Sequence, residues 1–186
     1  MVVHKDQRVA VFVDVQNMYY SAKNLFGGFV NFGQILLTAQ SGRPLVRAFA
    51  YVIRADLEQE KNFFEALTKQ GFEIRTKDLQ IFPGGMKKGD WDVGITVDAV
   101  ILCEKVDAVV LVTGDGDFVS LVEYLKNNKG CRVEIMSFGK TTSSRLIEAA
   151  DGFTDLEDDL KRFLIHNRSR TRVDARPRQT EEDSSH

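Results

Sequence analysis

The 186-residue sequence is short of the residue types that most often announce a chemistry. It holds only two cysteines and three histidines. Cys103 and Cys131 both lie in apolar stretches without metal-ligand spacing, so they read as buried free thiols. His4 and His166 are near the termini and His186 is the last residue, so no histidine is placed to act as a general acid or base. Positive charge is not in excess: 25 Lys and Arg face 27 Asp and Glu, net -2, and any nucleic-acid contact must come from a local patch. No apolar run approaches the roughly 20 residues of a membrane span. No export leader is legible either, because Val2 and Val3 are followed at once by His4, Lys5 and Asp6. A cytoplasmic chain with no membrane partner is expected. With 43% hydrophobic and 28% charged residues, global disorder is excluded, and the length suits one domain with its own core.

Val9 to Val15 is apolar almost throughout, as a strand buried on both faces should be. Val46–Ile53 is a second strand, followed by a helix over Leu57–Gln70 with Leu57, Phe64 and Leu67 on one face. Phe72–Lys77 alternates like a half-exposed edge strand. Residues 83–90 form a loop by composition, and Trp91–Cys103 reads as a buried helix. Ala108–Thr113 is another fully buried strand. Phe118, Leu121, Val122 and Leu125 then mark an amphipathic helix ending near Gly130. Arg132–Phe138 is the next strand, and Thr142–Ala150 and Asp155–Ile165 are the last helices. This alternation predicts an α/β fold with right-handed crossovers and a mostly parallel sheet of about five strands ordered 3-2-1-4-5, with an added edge strand near Leu79–Phe82. Ligands bind such sheets where the order reverses, here between the first and fourth strands, outside their carboxyl ends. From Asn167 the composition changes to an arginine-rich and then acidic tail, residues 167–186, expected to be disordered.

The acids cluster at that reversal. The first strand ends in Asp14-Val15-Gln16-Asn17 and the fourth in Thr113-Gly114-Asp115-Gly116-Asp117. The helix from Trp91 precedes the fourth strand, so Asp92 at its N-terminus lies on the same side, with Asp98 deeper among apolar neighbours, where a carboxylate needs a partner. Carboxylates about 4 Å apart repel by about 4 kcal/mol per pair at an effective dielectric near 20, so something positive should compensate. An all-oxygen set favours Mg²⁺, Mn²⁺ or Ca²⁺ over zinc. Two Mg²⁺ ions would balance four carboxylates and still attract a phosphate, as in a two-metal phosphodiesterase that uses water as nucleophile.

Each acid also has a plainer reading. Asp14, Asp92, Asp115 and Asp117 stand where helix caps stand, and acids suit a helix N-terminus. Gly114 and Gly116 favour the site, since they let backbone approach a ligand closely. Lys87 and Lys88 are solvated loop charges, or else hold flanking phosphates. A haloacid-dehalogenase-type phosphatase also begins with a first-strand Asp, but needs a second acid two residues on, where Gln16 stands. A short calcium loop at Asp115-Gly116-Asp117 lacks the later ligands of an EF-hand.

Asp14-Val15-Gln16-Asn17, Lys88-Gly89-Asp90-Trp91-Asp92-Val93 with Asp98, and Thr113-Gly114-Asp115-Gly116-Asp117-Phe118 together resemble the NYN domain in its LabA-like branch. Ser144-Arg145-Leu146 and Ala150-Asp151-Gly152-Phe153 resemble that branch's closing segment. The resemblance covers about residues 8–165, within a domain placed at 1–166. It implies a PIN-like, Rossmann-like three-layer sandwich and a metal-dependent ribonuclease of single-stranded RNA. It also implies Asp14, Asp92, Asp115 and Asp117 as metal-binding catalytic acids for Mg²⁺ or Mn²⁺, supported by Asn17, Thr113 and Asp98. Thr113 stands where serine is frequent, which keeps the hydroxyl. The competing reading from another class is a non-catalytic, metal-containing RNA-binding module. A homo-oligomer is left open.

Overall fold

The computed structural model describes residues 4–54, 57–81 and 87–165. The expected disordered tail and residues 83–86 of the expected loop lie outside the described residues. Six strands form the central sheet: β1 (Val9–Asp14), β2 (Leu45–Arg54), β3 (Glu73–Asp78), β4 (Ala108–Val112), β5 (Arg132–Ser137) and β6 (Gly152–Asp155). Every pairing is parallel and the order is β3-β2-β1-β4-β5-β6. The predicted 3-2-1-4-5 order is therefore present, with one further strand beyond the fifth.

Strands β1 and β4 are central because their β-branched, wholly apolar runs can be buried on both faces. Val9, Val11, Val13, Ala108, Val110 and Val112 point into one core. There they meet α1 (Val15–Phe26), α2 (Phe32–Gln40) and α3 (Leu57–Lys69) through Met18, Ile35 and Leu67. Ala10, Phe12, Val109 and Leu111 point the other way. They meet α4 (Asp92–Leu102), α5 (Val119–Lys129) and α6 (Ser144–Ala149) through Ile95, Leu121 and Leu146. The result is a three-layer sandwich. Val13 pairs with Val112, so the chain leaves β1 and β4 side by side at one level.

Four expectations are corrected. The additional strand is not at Leu79–Phe82: Gln80–Ile81 pairs antiparallel with Lys87–Lys88 in a separate two-stranded unit, and the sheet gains β6 at its opposite edge. β6 has no apolar run to announce it. It is a strand because β5 offers it an unpaired edge, with Glu134 opposite Gly152 and Ser137 opposite Asp155. The expected helix over Asp155–Ile165 is instead a 3₁₀ segment (Leu156–Asp159), the single-turn α7 (Leu160–Phe163) and a short strand, Leu164–Ile165, paired with Phe29–Val30. The expected helix over Thr142–Ala150 shortens to α6, preceded by a 3₁₀ turn at Gly139–Thr141. The α4 helix is mostly apolar but buried on one side only. Ile95, Ala99 and Leu102 face the sheet, while Val93 (70%), Val97 (48%) and Ile101 (62%) are exposed. A helix on the outer face of a three-layer sandwich packs against the sheet with one side.

Candidate metal centre

The first site residue ends β1. Asp14 is the N-cap of α1, and its Oδ1 accepts from the Asn17 backbone N–H at 3.0 Å, which satisfies one free N–H of the first turn. Asn17 in turn accepts through Oδ1 from the Gly114 N–H at 3.0 Å, tying the start of α1 to the loop that leaves β4. In that loop the buried Thr113 accepts through Oγ1 from the Asp115 N–H at 3.2 Å. Asp115 then caps the 3₁₀ turn Gly116–Phe118, its Oδ1 accepting from the Asp117 N–H at 3.0 Å. Asp14 and Asp115 thus do cap helices, as the plainer reading required, and the caps fix where their carboxylates stand.

Gly114 is dictated by close approach. A Cβ there would sit 2.8 Å from the Thr141 carbonyl oxygen and 3.1 Å from the Thr142 Cα, both backbone. The Ser143 N–H donates to the Gly114 carbonyl at 3.0 Å and locks the two loops together.

Asp92 arrives from α4. The residue before it, Trp91, offers no side-chain cap. Trp91 is instead an anchor: its Nε1 donates to the Val52 carbonyl at 3.0 Å, its ring lies 5.2 Å from that of Tyr51, and Lys77 Nζ stands 4.3 Å from the ring centroid. A Cβ at Gly94 would collide with the Trp91 ring, so the Trp91-Asp92-Val93-Gly94 run is coherent as an anchor, an acid and a clearance for the anchor.

Asp92, Asp115 and Asp117 each offer a carboxylate oxygen within 4.8 Å of the other two. Asp14 is not in that triple but lines the same cleft, together with Asp92 and Asp115. Burial pushes the Asp14 carboxyl up to about 6; the Asn17 N–H opposes this, the charges of Asp92 and Asp115 add to it, and the Gln16 N–H opposes it. Asp92 is also raised, first by burial and then by Asp115, Asp90 and Asp117, with Lys77 pulling the other way. Among the described residues none of the four acids forms an ion pair.

This donor set fits a hard divalent cation. Oxygens on an octahedral ion at about 2.1 Å stand about 3 Å apart when adjacent and about 4 Å when opposite. The triple needs to close by only about an ångström, and the set lacks the nitrogen or sulfur that would suit zinc.

The remaining expected site residues are placed as follows. Asp98 does not line the cleft: its Oδ2 accepts from the Tyr51 hydroxyl at 2.9 Å and lies 3.7 Å from Arg75 Nε, so its burial is answered by partners. The backbone of Lys87 and Lys88 forms the short antiparallel pair, and their side chains lie outside the described residues. The cleft, about 400 Å³, is also lined by Gln16, Tyr20, Ser21, Asn24, Gly89, Asp90, Trp91 and Thr141. Sequence reasoning missed Tyr20, Ser21, Asn24 and Thr141. The signal was available in α1, where Asn17, Tyr20, Ser21 and Asn24 recur at the three- and four-residue spacing of one helical face.

The sequence profile described as NYN domain matches residues 8–157, most of the chain and every element that builds the cleft. The chain belongs to the NYN domain family. It is 29% identical over 169 residues to the low amplitude and bright protein LabA of Synechococcus elongatus, covering 86% of this chain and 89% of that protein. A solved structure of a protein of unknown function from Vibrio parahaemolyticus is similar at a TM-score of 0.79 and 35% identity, covering 89% of this chain and all of that one. The NYN match ends inside the Leu156–Asp159 segment, so α7 and the Leu164–Ile165 strand lie beyond the matched residues.

Proposed function

We propose that this NYN domain is a metal-dependent ribonuclease that hydrolyses phosphodiester bonds of single-stranded RNA with water as nucleophile. The observation that carries the reading is the Asp92–Asp115–Asp117 triple, three carboxylate oxygens within 4.8 Å that form no ion pair among the described residues. Asp14, Asp92, Asp115 and Asp117 would hold two Mg²⁺ or Mn²⁺ ions. When bound, such ions acidify water and neutralise charge on the reacting phosphate. The protein's own part is positional: Thr113 and the Asp117 N–H orient Asp115, Asn17 fixes the distance between the two loops, and the Trp91 anchor presents Asp92. Nothing in the described cleft lining is a cation, so the acids repel a phosphate until metal is held, and substrate binding should require metal. Lys87, Lys88 and the tail arginines would contact flanking phosphates and make binding salt-sensitive.

The second reading is a non-catalytic RNA-binding module, favoured by the capping bonds of Asp14 and Asp115, which give both acids structural work. Incubating purified protein with labelled RNA in Mn²⁺, Mg²⁺ or chelator, beside the Asp14→Asn variant, separates the two. Cleavage that needs metal and falls at least about 100-fold in the variant supports the nuclease. RNA binding without turnover over a broad panel supports the module. Equal cleavage by both proteins would come from a contaminating nuclease and overturn the assignment of Asp14.

A further inference from the structure

The cleft is larger than the acids need. Its volume of about 400 Å³ is in the range of small-molecule sites, whereas Asp14, Asp92 and Asp115, which would hold the metal, form only part of its lining. The wall opposite in composition is the polar stripe of α1, and its residues divide into two sets. Asn17 and Ser21 are engaged inside the protein: Asn17 Oδ1 accepts from Gly114, and Ser21 Oγ accepts from the Thr141 hydroxyl at 3.0 Å. Gln16, Tyr20 and Asn24 line the same cleft, yet among the described residues their side chains make no hydrogen bond within the protein. Tyr20 is 50% exposed, and Tyr19 braces its ring edge-on at a centroid distance of 5.5 Å. The described lining holds no lysine or arginine, so nothing in it favours a phosphate on this wall. An exposed, braced ring flanked by two free amides suits a planar group with hydrogen-bonding edges.

We propose that Tyr20, Gln16 and Asn24 form a nucleoside site, in which a base stacks on Tyr20 and presents its edge to the amides while its phosphate lies towards the acids. The proposal rests on the ribonuclease reading for the identity of the polymer, but not for the chemistry of the wall. It supplies a physical reason for single-strand preference, because a base in a duplex has its faces covered by neighbours and cannot reach the ring.

The test uses adenosine 5′-monophosphate and ribose 5-phosphate as probes with the full-length protein in saturating Mg²⁺, read by ligand-detected NMR, for wild type, Tyr20→Ala and Tyr20→Phe. Wild type should bind the nucleotide about 10-fold or more tightly than the sugar phosphate, from stacking alone. Tyr20→Ala should lose that difference and Tyr20→Phe should keep it. Mn²⁺ affinity, read by electron paramagnetic resonance, should be the same in all three proteins, which excludes an indirect effect through the acids. Equal binding of the two probes by wild type, or unchanged nucleotide binding by Tyr20→Ala, would overturn the site. Failure of the ribonuclease reading looks different: the nucleotide still binds through Tyr20, but no RNA is cut.

Discussion

Asp14 caps α1 while sharing a cleft with Asp92 and Asp115, and the two roles have opposite effects on its ionised form. The cap hydrogen bond favours the carboxylate, burial and the neighbouring acids oppose it, and the opposition wins, lifting the group from 3.8 to about 6. A folded-state value above the unfolded one means the folded protein binds this proton more tightly. The stability penalty is therefore fully present above about pH 6 and disappears as pH falls towards 4. Asp14→Asn removes the penalty but keeps an acceptor for the Asn17 N–H. In chelator at pH 7 this variant should match or exceed wild type in urea unfolding, and its advantage should vanish by about pH 4. An Asp14→Asn protein that is much less stable at pH 7 would mean that the cap dominates. Divalent-metal affinity of wild type should rise with pH through about 6, because metal and proton compete for the same carboxylate. Asp98 illustrates the limit of reading single residues. Its apolar helical neighbours marked it as needing a partner, but Tyr51 and Arg75 come from strands, and only the folded chain brings them to it.

At the scale of elements, the cleft is set by two loop-to-loop ties and one anchor: Asn17 to Gly114, Ser143 to Gly114, and Trp91 to Val52. The opposite end of the sandwich is held by charge. Arg43, 1% exposed, follows α2 and reaches Glu134 of β5 through two hydrogen bonds of 3.0 and 2.9 Å, and also donates to the Ala39 carbonyl at 2.7 Å. Arg132 Nε adds a third donor to Glu134 at 2.8 Å. Removing one partner of a buried pair strands the other, at a cost of about 3–5 kcal/mol. Arg132 still pairs with Glu134 in Arg43→Met, so the unfolding free energy should fall by less than that, about 1–3 kcal/mol, read by urea denaturation. Arg43→Met with Glu134→Leu should recover most of the loss, since paired hydrophobic replacement is often neutral. Neither residue lines the cleft or bonds to a site acid, so metal binding by folded Arg43→Met should equal that of wild type.

For the molecule as a whole, the concentration of negative charge at the carboxyl ends of β1 and β4 should make stability depend on cations. Mg²⁺ or Mn²⁺ that binds only the folded chain should stabilise it by about 2.7 kcal/mol at a hundredfold excess over Kd. A chain of this size should then melt about 5–11 °C higher. Sodium chloride at matched ionic strength should raise the melting temperature less, because screening reduces repulsion without coordination. Melting temperatures identical in chelator, Mg²⁺ and Mn²⁺ would show that the triple holds no ion. Among the described residues no helix is long and apolar enough to cross a membrane, as the absence of apolar runs had implied.

The sequence by itself determined the layer order and the centre of the sheet. Burial on both faces demands runs such as Val9–Val13 and Ala108–Val112, and a run of that kind is local information. It also determined that Asp14, Asp92, Asp115 and Asp117 would share one end, because right-handed parallel crossovers put every strand's carboxyl end on the same side. Tertiary structure alone decided the rest. β6 is a strand only because β5 has an open edge for Gly152–Asp155, and no periodicity within four half-exposed residues encodes a neighbour. The separation of Asp14 from the tighter triple, the partners of Asp98 and the identity of the Trp91 anchor depend on side chains converging from remote segments. The amides of Gln16 and Asn24 beside Tyr20, without a hydrogen-bond partner among the described residues, belong with them, because whether a polar side chain is engaged is decided by what the rest of the fold brings within about 3 Å of it.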